Sequence, residues 1–279
     1  MRKIFQLILI STLATGCGLQ NSDTNKDISE NKKAIQRTNK VNVDPYTLHK
    51  LNDLLKKRSK ANHYDRGEMI GLLSEAFLET PYQANMLHGS ENKPEKLIID
   101  FRGLDCFTYL DYVEALSKST SQTEFINNVI RTRYVGGNIS FLNRKHFFTD
   151  WAYRKYKLAT DITAQISPNA VNIEKYLNKK ANGENYLPGL PVVKRHITYI
   201  PSEFINEKVI SHLKTGDLIG IYTKLAGLDV THVGFFIMTN HGPMLRNASS
   251  RKENKKVIDS SFMDYVAKTP GIIVLRPLP

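Results

Sequence analysis

The order of patterns along the chain predicts an α+β fold, with helices first and an antiparallel sheet or barrel after them. Three observations carry this. Apolar residues recur at helical spacing through residues 45–134, and short apolar runs separated by turn residues fill the last third. No repeat of fixed period links the two parts. A chain of 279 residues suffices for one large domain or two small ones, and its hydrophobic and charged fractions are ordinary for a globular protein.

The chain opens with "MRKIFQLILISTLATGCGLQ", in which Arg2 and Lys3 precede an apolar run over 4–13 that is too short to span a bilayer. Residues 1–16 therefore read as a secretory signal peptide. "LATGC" resembles the lipobox of bacterial lipoprotein precursors: Ala14, Thr15 and Gly16 lead into Cys17, the residue such proteins carry as a lipidated N-terminus. Ala14 stands where leucine is commoner. Ordinary cleavage and a short N-terminal anchor are the alternatives. The resemblance implies an exported protein anchored in a membrane through Cys17 and facing the periplasm. Gly18, in place of aspartate, favours the outer membrane. Residues 17–43 are polar and nearly free of aromatics, as a flexible tether requires.

Residues 44–279 read as a single domain. Asp44 before Pro45 is a cap and first-turn pair, with Leu48, Leu51, Leu54 and Leu55 on one stripe of the helix that follows. "GEMIGLLSEAFLET" is a second helix that stops ahead of Pro81, and "KLIIDF" over 96–101 is strand-like or extended. In "GLDCFTYLDYVEAL", residues 103–116, Asp105 is the N-cap of a helix whose buried stripe is Leu110, Val113 and Leu116. Ser121 and Glu124 stand at capping-box spacing before the next helix. Residues 138–207 mix Gly, Asn, Pro and basic residues around one aromatic-rich helix near "HFFTDWAYRKY", and read as an insertion shaping a surface groove. "DLIGIYT", "DVTHVGFFIM", "GPMLRNASS", "KVIDS" and "GIIVLRPL" are the strand candidates.

The chain has two cysteines. With Cys17 lipidated, Cys106 is a lone thiol in an oxidising compartment, a liability unless it is deeply buried or chemically needed. A nucleophilic cysteine needs thiolate character, a base and a group that orients the base. Placing Cys106 in the first turn of its helix lends the thiolate roughly 0.3–2 kcal/mol, whereas lowering a thiol from about 8.5 to about 6 takes roughly 3.4 kcal/mol. A histidine must supply the rest. Among eight histidines the best placed is His232, in a strand where it shares a face with Gly234 and Phe236. The strand after the turn at "NHGP" brings Asn247 within a residue or two of the position opposite His232, where it either orients the imidazole or faces solvent.

"TPY" at 80–82, "LDCFTYLDYVEAL", "RKHFFTDW" at 144–151, "YIP" at 199–201, "GDLIGI", "GLDVTHVGF" and "NASS" follow the order and spacing of the N-acetylmuramoyl-L-alanine amidase-like family. From about residue 44 to the C-terminus the chain resembles this branch of the NlpC/p60 superfamily of papain-like cell-wall hydrolases. The resemblance implies a papain-like fold, with the nucleophile at a helix start packed on the sheet. It implies Cys106 as nucleophile, His232 as base and Asn247 as the third member, where the family usually has a histidine in "HASS". Tyr82 resembles a tyrosine that holds the substrate carbonyl, or is a half-buried aromatic. Arg144, His146 and Asp150 match a motif that is either a groove wall recognising peptide carboxylates or a buried network. Asp105, Ser249 and Ser250 complete the substrate-side candidates.

The implied activity is hydrolysis of the N-acetylmuramoyl-L-alanine amide of peptidoglycan. The alternatives are a D-glutamyl-diamino acid endopeptidase of the same superfamily and a wall-binding lipoprotein without catalysis. The net charge of +12 points to an anionic partner such as lipid headgroups or wall-peptide carboxylates, or to a solvated lysine-rich surface. No helix-turn-helix, zinc-finger or RNA-binding signature supports a nucleic-acid partner. HExxH, paired CxxC, phosphate-loop and GxSxG patterns are absent, so the sequence predicts no metal and no cofactor.

Overall fold

A computed structural model describes residues 43–279. The expected signal peptide, Cys17 and the expected tether up to residue 42 lie outside the described residues. Asp44 accepts the Thr47 N–H at 3.1 Å and starts α1 (Pro45–Lys60), whose Leu51, Leu54 and Leu55 are buried. Leu48, expected on that stripe, is 37% exposed. A capping box of Asp65 and Glu68 starts α2 (Arg66–Glu75). The residues after Glu75, expected to continue this helix, run instead through turns that bond Phe77 to Ser74 and Thr80 to Phe77.

A small hairpin of β1 (His88–Ser90) and β2 (Lys93–Lys96) follows. The expected strand at 96–101 does not form beyond Lys96, because side chains take its backbone groups: Asp100 N–H donates to the Tyr112 hydroxyl and Phe101 N–H to the Thr47 hydroxyl. Next come α3 (Cys106–Ser117) and α4 (Gln122–Arg133). The Ser121 side chain caps α4, but the Glu124 carboxylate binds Thr120 rather than closing the box.

The middle of the chain carries α5 (Asp150–Tyr153), β3 (Ala159–Asp161), α6 (Thr163–Ile166), β4 (Val171–Leu177), β5 (Val193–Pro201) and α7 (Glu207–His212). The expected aromatic-rich helix is the single turn of α5. The last third supplies β6 (Leu218–Tyr222), β7 (Val230–Thr239), β8 (Gly242–Ala248), β9 (Val257–Ser261), α8 (Phe262–Val266) and β10 (Gly271–Pro277). All pair antiparallel in the order β4-β5-β10-β6-β7-β8-β9, with β3 also on β10. The segment read as an insertion thus widens the sheet, joining it where Gly271 and Ile272 pair with Pro201 and Ile200.

Alternation along β7 divides two cores. Val233, Phe235 and Ile237 pack with α3, where Tyr109 meets Phe235 edge to face at 5.4 Å. Phe236 faces the other way, with Leu245, Phe262 and Ile272. Helix α3 therefore lies on β7 and β8 with its first turn at the end where His232 sits. Among the described residues no helix is long and apolar enough to cross a membrane.

Candidate active site

Cys106 is the first residue of α3, and the capping of that helix decides what surrounds its sulfur. Asp105 Oδ1 accepts the Thr108 N–H at 2.7 Å, the Thr108 hydroxyl accepts the Asp105 N–H at 3.0 Å, and Tyr109 N–H bonds back to the Asp105 carbonyl. The N–H groups of Cys106 and Phe107 are left over and turn to Sγ, joined by the N–H of Val233 from β7. Burial and the Asp105 carboxylate nonetheless push the thiol up to about 12, against these three donors. The expected direction was downward; here burial outweighs the helix start and favours the neutral thiol.

His232 immediately precedes the residue whose amide touches that sulfur. Its Nε2 lies 2.9 Å from Asn247 Oδ1. The Asn247 amide nitrogen donates to the Leu245 carbonyl at 3.0 Å and to Ser260 Oγ at 3.2 Å, so its oxygen is the atom turned to the histidine. An oxygen accepts only, hence Nε2 carries the proton and Nδ1 keeps its lone pair. Ladder register places Asn247 diagonal to His232, since Phe235 pairs with Arg246. Gly234 permits the approach, because a Cβ there would sit 3.0 Å from the Asn247 Cβ and 2.8 Å from the Arg246 carbonyl. Burial, and secondarily the charge of Arg251, hold the imidazole below the usual histidine value.

The model of the family described as N-acetylmuramoyl-L-alanine amidase-like matches residues 72–272, which include all three of these side chains. The chain belongs to the N-acetylmuramoyl-L-alanine amidase-like family. A Legionella pneumophila protein of solved structure is similar at 25% identity and a TM-score of 0.68, covering 82% of this chain and 94% of its own. An N-acetylmuramoyl-L-alanine amidase from Bacteroides uniformis is similar at 26% identity and a TM-score of 0.63, covering 77% of this chain and 99% of its own. No curated protein matches the chain.

The other site candidates of this family member divide into two groups. Tyr82 is half-buried, and burial, then the charges of Cys106 and Asp105, raise its hydroxyl, which places it beside both. Its N–H bonds Lys255 O at 2.8 Å, and Gln83 N–H bonds Leu104 O just ahead of the nucleophile helix. Asp105, expected on the substrate side, spends Oδ1 on the helix cap. Arg144 pairs with Glu95 at 3.1 Å, His146 Nε2 lies 2.6 Å from the Phe141 carbonyl, and Asp150 pairs with Arg195 at 3.0 Å. These three bond inside the protein and to no member of the Cys106 group, the buried-network alternative rather than the groove wall. Ser249 is buried and its hydroxyl accepts the Arg251 N–H at 3.4 Å, while Ser250 is exposed.

Two residues of the site were not found by sequence. Tyr265, from α8, lies nearly parallel to the His232 ring, at 22° and 6.2 Å between centroids. The Arg251 guanidinium stands 4.3 Å over the Tyr265 ring. Only adjacency signals them: Arg251 directly follows "NASS", and α8 directly follows β9. Among the described residues no group of three or more His, Cys, Asp or Glu side chains is placed to hold a metal.

Proposed function

We propose that this family member is an exported cysteine amidase that cuts the amide between N-acetylmuramic acid and L-alanine in peptidoglycan, on a papain-like fold of the NlpC/p60 superfamily. The observation that carries the reading is the Asn247-oriented His232, one residue from the amide that touches Cys106 Sγ. Ionising that thiol alone costs about 4 kcal/mol more than for a free cysteine. Proton removal is therefore concerted with attack: His232 Nδ1 takes the thiol proton as Sγ bonds to the lactyl carbonyl carbon. On this reading the tetrahedral oxyanion accepts from the Cys106 N–H at the helix start, which leaves the sulfur as the S–C bond forms, and from the Tyr82 hydroxyl.

The imidazolium then passes its proton to the L-alanine nitrogen, the C–N bond breaks, and the muramoyl group remains as a thioester. Water attacks the thioester while His232 takes the water proton, releasing the muramoyl acid and returning the proton to sulfur. Asparagine serves as the third member because orienting Nε2–H requires only an acceptor oxygen.

The same reading places the domain outside the cytoplasm, on a periplasm-facing membrane through acyl chains at Cys17. Each buried methylene contributes about 0.8 kcal/mol, so several chains hold it there. Loss of the protein from the membrane fraction in Cys17→Ala tests the anchor. Mass spectrometry of muropeptides digested by the wild type and by Cys106→Ala tests the chemistry. Free sugar with an intact stem peptide supports the amidase. A retained sugar-dipeptide replaces it with an endopeptidase, and no turnover by the wild type replaces it with a wall-binding protein.

A further inference from the structure

We propose that Arg251, held over the Tyr265 ring beside His232, recognises a carboxylate on the peptide released by the reaction, so that this site selects stem peptides with a free carboxylate over their amidated forms. This rests on the amidase reading above and adds to it the group that selects the substrate.

Arg251 differs from the other arginines around the core. Arg66, Arg133, Arg144, Arg195, Arg246 and Arg276 each hold a carboxylate, from Glu114, Asp111, Glu95, Asp150, Asp259 and Asp217. Arg251 is exposed and pairs with no carboxylate among the described residues. Yet its position is built. Its carbonyl accepts the N–H groups of Asn254 at 3.0 Å and Lys255 at 2.9 Å, and Lys255 in turn accepts the Tyr82 N–H. One loop thus ties Arg251 to the tyrosine proposed at the oxyanion, while Tyr265 fixes the guanidinium from below.

The side of the site on which Arg251 lies decides what it meets. His232 delivers its proton to the leaving nitrogen, so groups flanking His232 face the leaving peptide. Tyr265 is such a group, and Arg251 lies on it. On the sugar side the lactyl carboxyl is consumed in the scissile amide, so the nearest carboxylate of the substrate is on the peptide, at the α-carboxylate of the D-glutamyl residue after L-alanine. A guanidinium reads such a group through paired N–H donors. Binding there has a further effect: the Arg251 charge opposes protonation of His232, and a carboxylate seated on it removes that opposition as the imidazolium forms.

The test compares muramoyl-L-alanyl-D-glutamate with the same compound carrying a carboxamide in place of the α-carboxylate. For the wild type, kcat/KM is expected to favour the acid by about tenfold or more. Arg251→Met is expected to bring the ratio to about one, and Arg251→Lys to restore part of it. Equilibrium binding of both compounds to Cys106→Ala, and to Cys106→Ala with Arg251→Met, reads the same preference without turnover. Tighter binding of the acid that disappears with Arg251 sustains the proposal even if hydrolysis fails. Equal binding, or binding of neither compound, overturns it, and does so even where the wild type hydrolyses both.

Discussion

Two polar assemblies sit in this molecule within a few residues of each other in sequence, and they are built to opposite ends. Around Asp150 the bonds stay inside the protein: Arg195 donates to Asp150 at 3.0 Å and to the Thr149 hydroxyl at 2.8 Å, and Thr149 donates twice to Asp229. Around Cys106 the capping, the Asn247 amide and the β7 backbone satisfy the supporting atoms only. Nδ1 of His232 and the Arg251 guanidinium are left for something else, and the amides around Sγ await a charge that the resting thiol lacks. Polar groups bonded to one another inside the protein mark structure; an assembly whose supports are satisfied and whose reacting atoms are not marks chemistry. Asp229 joins the two, since it holds Thr149 and stands three residues before His232.

The largest test of that contrast is Cys106→Ala. Its muropeptide turnover should fall to background, a loss of about a millionfold, with urea unfolding unchanged. Asp150→Ala should do the reverse. It strands the buried Arg195 charge at a cost of about 3–5 kcal/mol in urea unfolding, while specific activity of the folded fraction stays near wild type.

His146 offers a gentler probe of the structural side. Burial holds its imidazole down to about 4, so the unfolded chain takes a proton near 6.5 that the folded chain refuses. Stability is full above pH 6.5 and is lost as pH falls toward 4, by about 3 kcal/mol at most. His146→Gln should flatten unfolding free energy over that window. The smallest effect belongs to Asn247→Ala, where one orienting hydrogen bond is lost and kcat/KM should drop by about tenfold, with KM little changed.

Much of this contrast was readable in the sequence because it is local. A cap before an apolar stripe places Cys106 at a helix start, and alternation in β7 separates His232 from Val233 and Phe235. A short turn brings Asn247 to within a residue or two of the position opposite His232, and the register that decides its role comes only with the folded sheet. Arg251 and Tyr265 were not readable, because the loop and the single turn that carry them have no periodicity; they reach the histidine only once β8, β9 and α8 have folded. The motif around Arg144, His146 and Asp150 was legible as a cluster but not in its purpose, which depends on Glu95 and Arg195, 49 and 45 residues away. Strands β4 and β5 were missed because they pair chiefly with each other, across a segment whose Gly, Asn, Pro and basic residues read as an insertion. The thiol was judged by its helix start and a histidine, and burial, which the sequence does not display, reversed the sign.

Asn247 also sets the proton inventory of the site. Where the resemblance implies a second histidine, this chain has an amide that never titrates, locked by Leu245 and Ser260. A single imidazole is then the only member of the triad that acid can disable. On the proposed mechanism the rate should therefore decline below the depressed His232 value with the first rather than the second power of proton concentration, which a pH-rate profile reads.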